Sequence, residues 1–563
     1  MRDVEAFSIT MTEIESYIQL QDADEVADRL CRLLPDREND IRTVEMIRKF
    51  ANILVDFERK QWNGIWARIV ANYLTTACLG KFDIIVGNPP WVDWKTLPNN
   101  YRDRVKGLCI DNNLFSGDGI TGGINLNICA LITNVVANRY LTNHGILAFL
   151  MPQTILFQSS YEGFRNCYLA DGGRLYIQNI TDWTKSGHPF APVQEKFLTY
   201  FFSRTKQDYT KGIPVHFYVK KRSERSVISK YSSMRTFAAI ADKFDCFTGV
   251  IGQVNANNTS FTYANNAKTL SLFRLIAGTT NYKGREGVEF YPQELFLLRH
   301  RADLPQPKKG LFVFENYQNS SSKYKIPLRH IAPEETYLKP LIKGVDLSRF
   351  HCETGEWVVP FPYDKEHCKL PLRLDELKKK SPKLAIYFME NKSIIDAQTN
   401  YNERIIGNAE GREFYALARV GEYSLGNVFV AFRDNTKWGA CVIGAVMSPW
   451  GTMLTPCFQN HAVSISQYGD DRYITEDEAH YLCAILNAPI VEAYIIASSD
   501  SRSFKVRPPV YIPEYNEANS HHRKLVKLSQ EAHIHYNDST INEILNEINS
   551  HYIAICNERD LES

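Results

Sequence analysis

The chain has no apolar run of the roughly 18 residues that a membrane span needs. Its first residues, Arg2, Asp3 and Glu5 among them, lack the apolar core of a signal peptide. Charge of one sign is not in excess: 65 Lys and Arg stand against 64 Asp and Glu, for a formal net charge of +1. That excludes a global electrostatic pull on nucleic acid, so any groove for it has to be a local patch. The 12 cysteines are scattered with no Cys-x-x-Cys, which points to reduced thiols and a cytoplasmic location. His351-Cys352 and His367-Cys368 are bare neighbours without zinc-ligand spacing, so no metal site is expected. Glycine is scarce early: residues 1–80 hold only Gly64 and Gly80. A glycine-rich loop that cradles a cofactor has no place there.

The 563 residues suffice for two to four domains with sizeable cores. Residues 12–34, 41–60 and 62–79 carry apolar residues at helical spacing and predict amphipathic helices packed on a sheet. The apolar, β-branched run Phe82-Asp83-Ile84-Ile85-Val86 then predicts a buried strand. Gly87-Asn88-Pro89-Pro90-Trp91 stops it, because each proline lacks an N–H and fixes φ. An amide oxygen (Asn88), a stiffly held carbonyl (Pro89) and an indole ring (Trp91) thus stand at a strand's carboxyl end. In open α/β sheets that is where ligands bind.

This stretch resembles the Asn-Pro-Pro-aromatic motif of amino-group DNA methyltransferases, mostly adenine-specific. Two acceptors suit an exocyclic NH₂ with two hydrogens to give, and the prolines preorganise them. The resemblance implies that Asn88, Pro89, Pro90 and Trp91 are catalytic and that Trp91 stacks on a flipped base. Trp62-Asn63-Gly64-Ile65-Trp66-Ala67-Arg68-Ile69 is similar to the segment before that motif in type IIG restriction-modification methylases. The family uses S-adenosylmethionine, held on a glycine-rich loop that should precede Asn88. No such loop stands in residues 1–80, so a second polypeptide with the cofactor-binding half is expected. Gly117-Asp118-Gly119-Ile120-Thr121-Gly122-Gly123 spells G-x-G-x-x-G, but it lacks a strand before it and an acid about 20 residues on, so it reads as a loop.

Residues 124–202 alternate helix and strand, with wording also similar to the family: Gly145-Ile146-Leu147-Ala148-Phe149-Leu150-Met151-Pro152, then Tyr161-Glu162-Gly163-Phe164-Arg165. In the loop 187–192, Phe190 matches the aromatic that stacks on the other face of the base, and Trp183 is a second candidate. Further on, Tyr282-Lys283-Gly284-Arg285-Glu286-Gly287-Val288 resembles the entry to the target-recognition region, and Ser501-Arg502-Ser503-Phe504-Lys505 its close. Arg285, Ser501, Arg502, Ser503 and Lys505 are the expected DNA contacts. No Pro-Asp…Glu-x-Lys nuclease constellation stands out.

The implied fold class is α/β: the carboxyl half of a Rossmann-like class I methyltransferase domain, then a mixed α+β target-recognition domain. The expected segments are 1–80 (helices before the catalytic strand), 81–210 (catalytic half), 211–285 (connection), 286–515 (recognition) and 516–563 (terminal helices). The implied function is site-specific transfer of a methyl group to the amino group of a flipped adenine in double-stranded DNA, in a restriction-modification or phage-defence system. The alternative is a recognition subunit without chemistry. A third reading, an RNA or protein amino-methyltransferase, fits the long last third less well.

Overall fold

The structure is a computed structural model that describes residues 4–33, 41–61, 79–115, 126–187, 195–224, 236–254, 259–321, 326–397, 412–469, 472–499, 504 and 506–562. It is a mixed α/β chain with mixed sheets.

Helices α1 (Val4–Gln19), α2 (Ala23–Cys31) and α3 (Ile41–Arg59) come first. Asp22 caps α2 by accepting the Glu25 N–H at 3.0 Å. The expected packing on the sheet is corrected here. The three helices bury their apolar stripes in a core of their own, around Ile14, Ile18, Val26 and Leu54. The expected helix over 62–79 lies, but for Leu79, outside the described residues.

Seven strands form the main sheet: β1 (Phe82–Gly87), β2 (Leu141–Pro152), β3 (Tyr176–Asp182), β4 (Phe197–Ser203), β5 (Ile213–Lys220), β6 (Phe244–Gln253) and β7 (Phe261–Ala264), in the order β1-β2-β4-β3-β5-β6-β7. β1 runs parallel to β2 and β3 parallel to β5; every other pair is antiparallel. The carboxyl ends of β1, β2, β3 and β5 therefore share one rim. Strands from the 211–285 segment extend the same sheet. Between β1 and β2 come α4 (Asn99–Asp111) and α5 (Ile128–Tyr140). Asn127 caps α5, accepting the Cys129 N–H at 3.2 Å. The core on this side joins Ala137, Leu147, Phe149, Met151, Ile180 and Tyr200.

β1 is not the buried strand that its composition predicts. Among the described residues it is the end strand and pairs with β2 alone. Phe82, Ile84 and Val86 share one face and are 41%, 72% and 76% exposed. Ile146, which sits opposite Ile84 on β2, is 47% exposed. The strand is as apolar as an interior one, but nothing among the described residues covers it.

The second half holds a six-stranded and a four-stranded sheet. The basic helix expected over 374–390 is two helices, Leu374–Lys380 and Pro382–Glu390, broken at Ser381-Pro382. The helix expected over 475–497 is likewise two, Glu476–Asn487 and Pro489–Ala497, bent by 58° at the proline. Its start is as expected. Thr475 Oγ1 accepts the Glu478 N–H at 3.2 Å and Glu478 accepts the Thr475 N–H at 2.8 Å, a capping box. Helices Ser520–Ile534 and Ile541–Glu562 close the chain and share a core with Tyr481, Leu482 and Ile485. Among the described residues no single helix is long and apolar enough to cross a membrane.

Burial holds two imidazoles of this core, His480 and His522, down at about 4 against an ordinary value of 6.5. Above pH 6.5 both are neutral whether the chain is folded or not. Between 6.5 and 4 the unfolded chain takes up protons that the folded chain refuses, so stability falls with pH across that window. The melting temperature is expected to drop from pH 7 to pH 5, and His480→Gln to flatten the drop. An equal drop in that variant contradicts the assignment.

Candidate active site

The site is built where β1 ends. Asn88 is exposed, Pro89 buried, Pro90 exposed and Trp91 half-buried. The Trp91 indole N–H donates to the Leu150 carbonyl on β2 at 3.1 Å. Its ring packs on Phe197, the first residue of β4, with centroids 5.7 Å apart. Two constraints thus fix the ring's position and tilt. The exit from the corner is clamped as well. The Ile128 N–H donates to the Val92 carbonyl at 2.9 Å, and the Trp94 N–H to the Leu126 carbonyl at 2.7 Å. A Cβ at Gly87 would stand 3.0 Å from the Phe149 ring, which would have to give by a few tenths of an ångström. The corner offers two acceptors, the Asn88 amide oxygen and the Pro89 carbonyl, beside an aromatic face.

The turn that follows β2 lies under the same rim. Buried Arg165 holds it by donating to the carbonyls of Ile155 at 2.8 Å and Gln158 at 2.7 Å, and to Thr259 Oγ1 at 3.1 Å. Burial lowers this guanidinium to about 10, which still leaves it charged at neutral pH. The Tyr200 hydroxyl donates to the Pro152 carbonyl at 2.9 Å, and the Gln153 N–H to the Lys196 carbonyl at 2.9 Å.

Further along the rim a cavity of about 970 Å³ opens between the sheet and the helix Pro489–Ala497. Its floor is aromatic, with Phe217, Phe247 and Tyr263, and Lys185 and Lys196 stand on its walls. Asp182, at the end of β3, is buried there and accepts from the Tyr263 hydroxyl at 2.8 Å and from Thr184 N and Oγ1 at 2.8 and 2.6 Å. Burial, with the Asp182 charge next, pushes the Tyr263 phenol well above its ordinary value, so it stays a donor. The opposite wall includes Ile496, Ala497 and Ser499.

Of the residues expected from sequence, Asn88, Pro89, Pro90 and Trp91 form one corner. Phe190, Ser501, Arg502, Ser503 and Lys505 lie outside the described residues, as does the Gly117–Gly123 loop but for its surroundings. The cavity nevertheless joins their neighbours: Lys185 and Lys196 flank the stretch with Phe190, and Ser499 directly precedes the stretch with Ser501–Ser503. Phe504, whose immediate neighbours lie outside the described residues, packs in the core. It is buried edge-on against Trp438, and its N–H donates to the Asp434 carbonyl. Arg285 sits elsewhere, on the strand Arg285–Glu286 opposite Ser464, with its guanidinium 5.2 Å from the Tyr423 ring centre. Trp183 is engaged: its N–H donates to Thr199 Oγ1 at 2.9 Å and its ring stacks on Tyr218 at 4.7 Å. His144 stands near the amino end of β2, away from Asn88. His351 stacks on Tyr536 at 4.1 Å, and His367 lies 2.8 Å from Asp364 and 3.3 Å from Glu376. Sequence reasoning missed Asp182, Lys185, Lys196 and Tyr263. A usable signal existed for the first two, since Asp182 ends the strand Tyr176–Asp182 and Lys185 lies three residues beyond it.

Arg165→Met keeps the side-chain volume but leaves the buried Ile155 carbonyl without its donor and the Gln158 carbonyl with the Tyr161 N–H alone. It is expected to cost about 1–3 kcal/mol of stability, read by denaturant unfolding. A loss under about 0.5 kcal/mol contradicts the role given to Arg165.

The family described as Eco57I restriction-modification methylase matches residues 3–190. No curated protein matches the chain. Among solved structures the chain is similar to the Type IIL restriction-modification enzyme MmeI in complex with DNA, at 9% identity and TM-score 0.43, over 84% of this chain and 54% of that one. It is also similar to the DrdV–DNA complex, at 11% identity and TM-score 0.34, over 94% of this chain and 56% of that one. A third is the ATP-dependent Type ISP enzyme LlaBIII bound to DNA, at 8% and 0.36, over 80% and 29%. The chain thus spans about half the length of the MmeI and DrdV chains. The match over residues 3–190 contains the Asn-Pro-Pro-Trp stretch and agrees with the restriction-modification methyltransferase resemblance read from it.

Proposed function

From the premise that residues 3–190 match a restriction-modification methylase, we propose that this chain supplies the base pocket and part of the DNA cleft of a site-specific DNA adenine-N6 methyltransferase. The observation that carries the reading is the pinned corner. Exposed Asn88 and the carbonyl of buried Pro89 accept the two hydrogens of an adenine amino group, and the Trp91 ring, held by Leu150 and Phe197, stacks on the extruded base. Phe190 closes the other face. Double-stranded DNA lies along the cavity rim, where Lys185 and Lys196 meet phosphates and Ser501, Arg502, Ser503, Lys505 and Arg285 belong to the recognition surface.

The parallel β1–β2 pair with antiparallel β4 between β2 and β3 supports reading residues 81–210 as the carboxyl half of a Rossmann-like methyltransferase domain. Residues 286–515 then form the recognition domain, with 1–80, 211–285 and 516–563 as helical lead, connection and terminal brace. The residues at the corner do not fit S-adenosylmethionine. Beyond β1 stand the hydrocarbon side chains of Ile84 and Val86, and residues 1–80 hold two glycines. The methyl donor is read as bound outside these residues, with a second polypeptide as the expected carrier. The same misfit favours the second reading, a recognition subunit without chemistry.

In the assembled enzyme Asn88→Ala is expected to lower methyl transfer at least about 100-fold and to leave duplex affinity unchanged within about threefold. Methylation at the wild-type rate refutes the corner's role. Lys185→Glu with Lys196→Glu is expected to weaken duplex binding by at least about tenfold and to reduce the salt slope by about 2. Unaltered binding over a salt titration removes DNA from the cavity.

A further inference from the structure

We propose that Cys352 and Cys441 are a peroxide-sensitive thiol pair, which closes to a disulfide and fastens the hairpin 347–352 to the strand Ala440–Ile443. Neither thiol belongs to the Asn88 corner, and the pair does not depend on the methyl-transfer reading.

The hairpin is anchored so that one thiol meets the other. Leu347–Ser348 pairs antiparallel with His351–Cys352, and Leu347 stands opposite Cys352. Both turn residues between them are tied down. The Arg349 guanidinium pairs with Glu492 on the helix Pro489–Ala497. Phe350, at φ +56°, is buried with its ring edge-on to His533, and its N–H donates to the Ala440 carbonyl at 2.8 Å. Gly439 permits this approach, because a Cβ there would stand 2.8 Å from the Arg349 nitrogen. His351 stacks on Tyr536 with centroids 4.1 Å apart. Cys352 comes next in the chain. It is half-buried and packs on the small core that contains Cys441. The two thiols hydrogen-bond to each other.

Burial sets the order of events. Cys441 lies opposite Ala431 on the neighbouring strand, is fully buried, and points its S–H at the Ala431 carbonyl 3.9 Å away. The hydrogen bond with Cys352, and then burial, hold it well above its ordinary value, so it stays a thiol. A third sulfur, Cys483, is also fully buried, donates to the Ala440 carbonyl at 3.4 Å and accepts from the Asn487 amide at 3.4 Å. Of the three, Cys352 alone reaches solvent. Among the described residues no three His, Cys, Asp or Glu side chains are placed to hold a metal ion, which leaves thiol chemistry for this cluster.

Peroxide therefore meets Cys352 first. The Cys352 sulfur attacks one peroxide oxygen, the O–O bond breaks, and the other oxygen leaves as water. A sulfenic acid remains. The Cys441 sulfur then attacks the Cys352 sulfur, the S–O bond breaks, and the hydroxyl leaves with the Cys441 proton as a second water. Two thiols and one hydrogen peroxide thus become one disulfide and two waters, and a dithiol reverses the step by exchange. Disulfides in reducing compartments are typically of this transient, redox-sensing kind. The bond joins distant parts of the chain, so it restricts the unfolded state strongly. It also fastens the turn whose Arg349 holds the helix Pro489–Ala497, a wall of the large cavity.

The test treats the reduced full chain with hydrogen peroxide, alkylates it and digests it without reductant. Mass spectrometry is expected to find a Cys352–Cys441 peptide, lighter by two hydrogens than its two halves and lost on dithiothreitol treatment. The oxidised chain is expected to melt at least about 2 °C above the reduced one. Its amides over residues 489–497 are expected to exchange at least about threefold more slowly. Cys352→Ser changes a half-buried group and is expected to keep the melting temperature of the reduced chain while removing the peptide and both shifts. In Cys441→Ser, Cys352 is expected to stop at the sulfenic acid, trapped by dimedone. Sulfenic acid at Cys352 of the wild-type chain without the Cys352–Cys441 peptide overturns the proposal. So does a Cys441–Cys483 link, or a Cys352 link between two chains. A Cys352–Cys441 bond that leaves melting and exchange unaltered overturns the fastening of the hairpin.

Discussion

The site depends on one constraint, the abrupt stop of β1. Two prolines in series end the ladder at the rim of the sheet, and the residue after them is tied back at once by the Trp91 N–H on the Leu150 carbonyl. That bond and the Phe197 contact tie a strand end back onto the sheet. The Val92–Trp94 exit, hydrogen-bonded to residues 126–128, holds the corner from the other side. Each of these partners comes from a different part of the chain. The corner is therefore held from β2, β4 and residues 126–128 at once, and acceptors act best when little has to move to meet a substrate.

The same strand that presents the corner is the least satisfied part of the sheet. Stability and function pull apart here. The core under β2, β3 and β4 is closed, while β1 offers bare hydrocarbon and an unpaired backbone edge. Along the rim, the cavity between the sheet and the helix Pro489–Ala497 lies where the seven-stranded sheet meets the carboxyl-terminal core.

Local signals carried far in the sequence. The Thr475–Glu478 capping box, the helix Ile41–Arg59 and the stop of β2 at Pro152 are set by residues within one turn or two, and they stand where the sequence puts them. The prolines at 382 and 489 were equally visible, yet each divides what reads as one helix, because apolar spacing continues across the break. The exposure of β1 was not legible. Whether an apolar strand is covered is decided by its neighbours, and Phe82-Asp83-Ile84-Ile85-Val86 reads the same in either state. The cavity was illegible for a related reason. Asp182 and Tyr263 are 81 residues apart and meet through the register of β3, β5, β6 and β7. No periodicity within a window announces that pairing.

The most direct measurement is transfer of a labelled methyl group from S-adenosylmethionine to mixed-sequence duplex DNA, with the product nucleosides resolved. It is made with the chain alone and with the chain plus the polypeptide encoded immediately upstream. The account predicts label in N6-methyladenine from the mixture and none from the chain alone. Label from the chain alone, or a mixture that binds DNA and leaves it unmethylated, would contradict it.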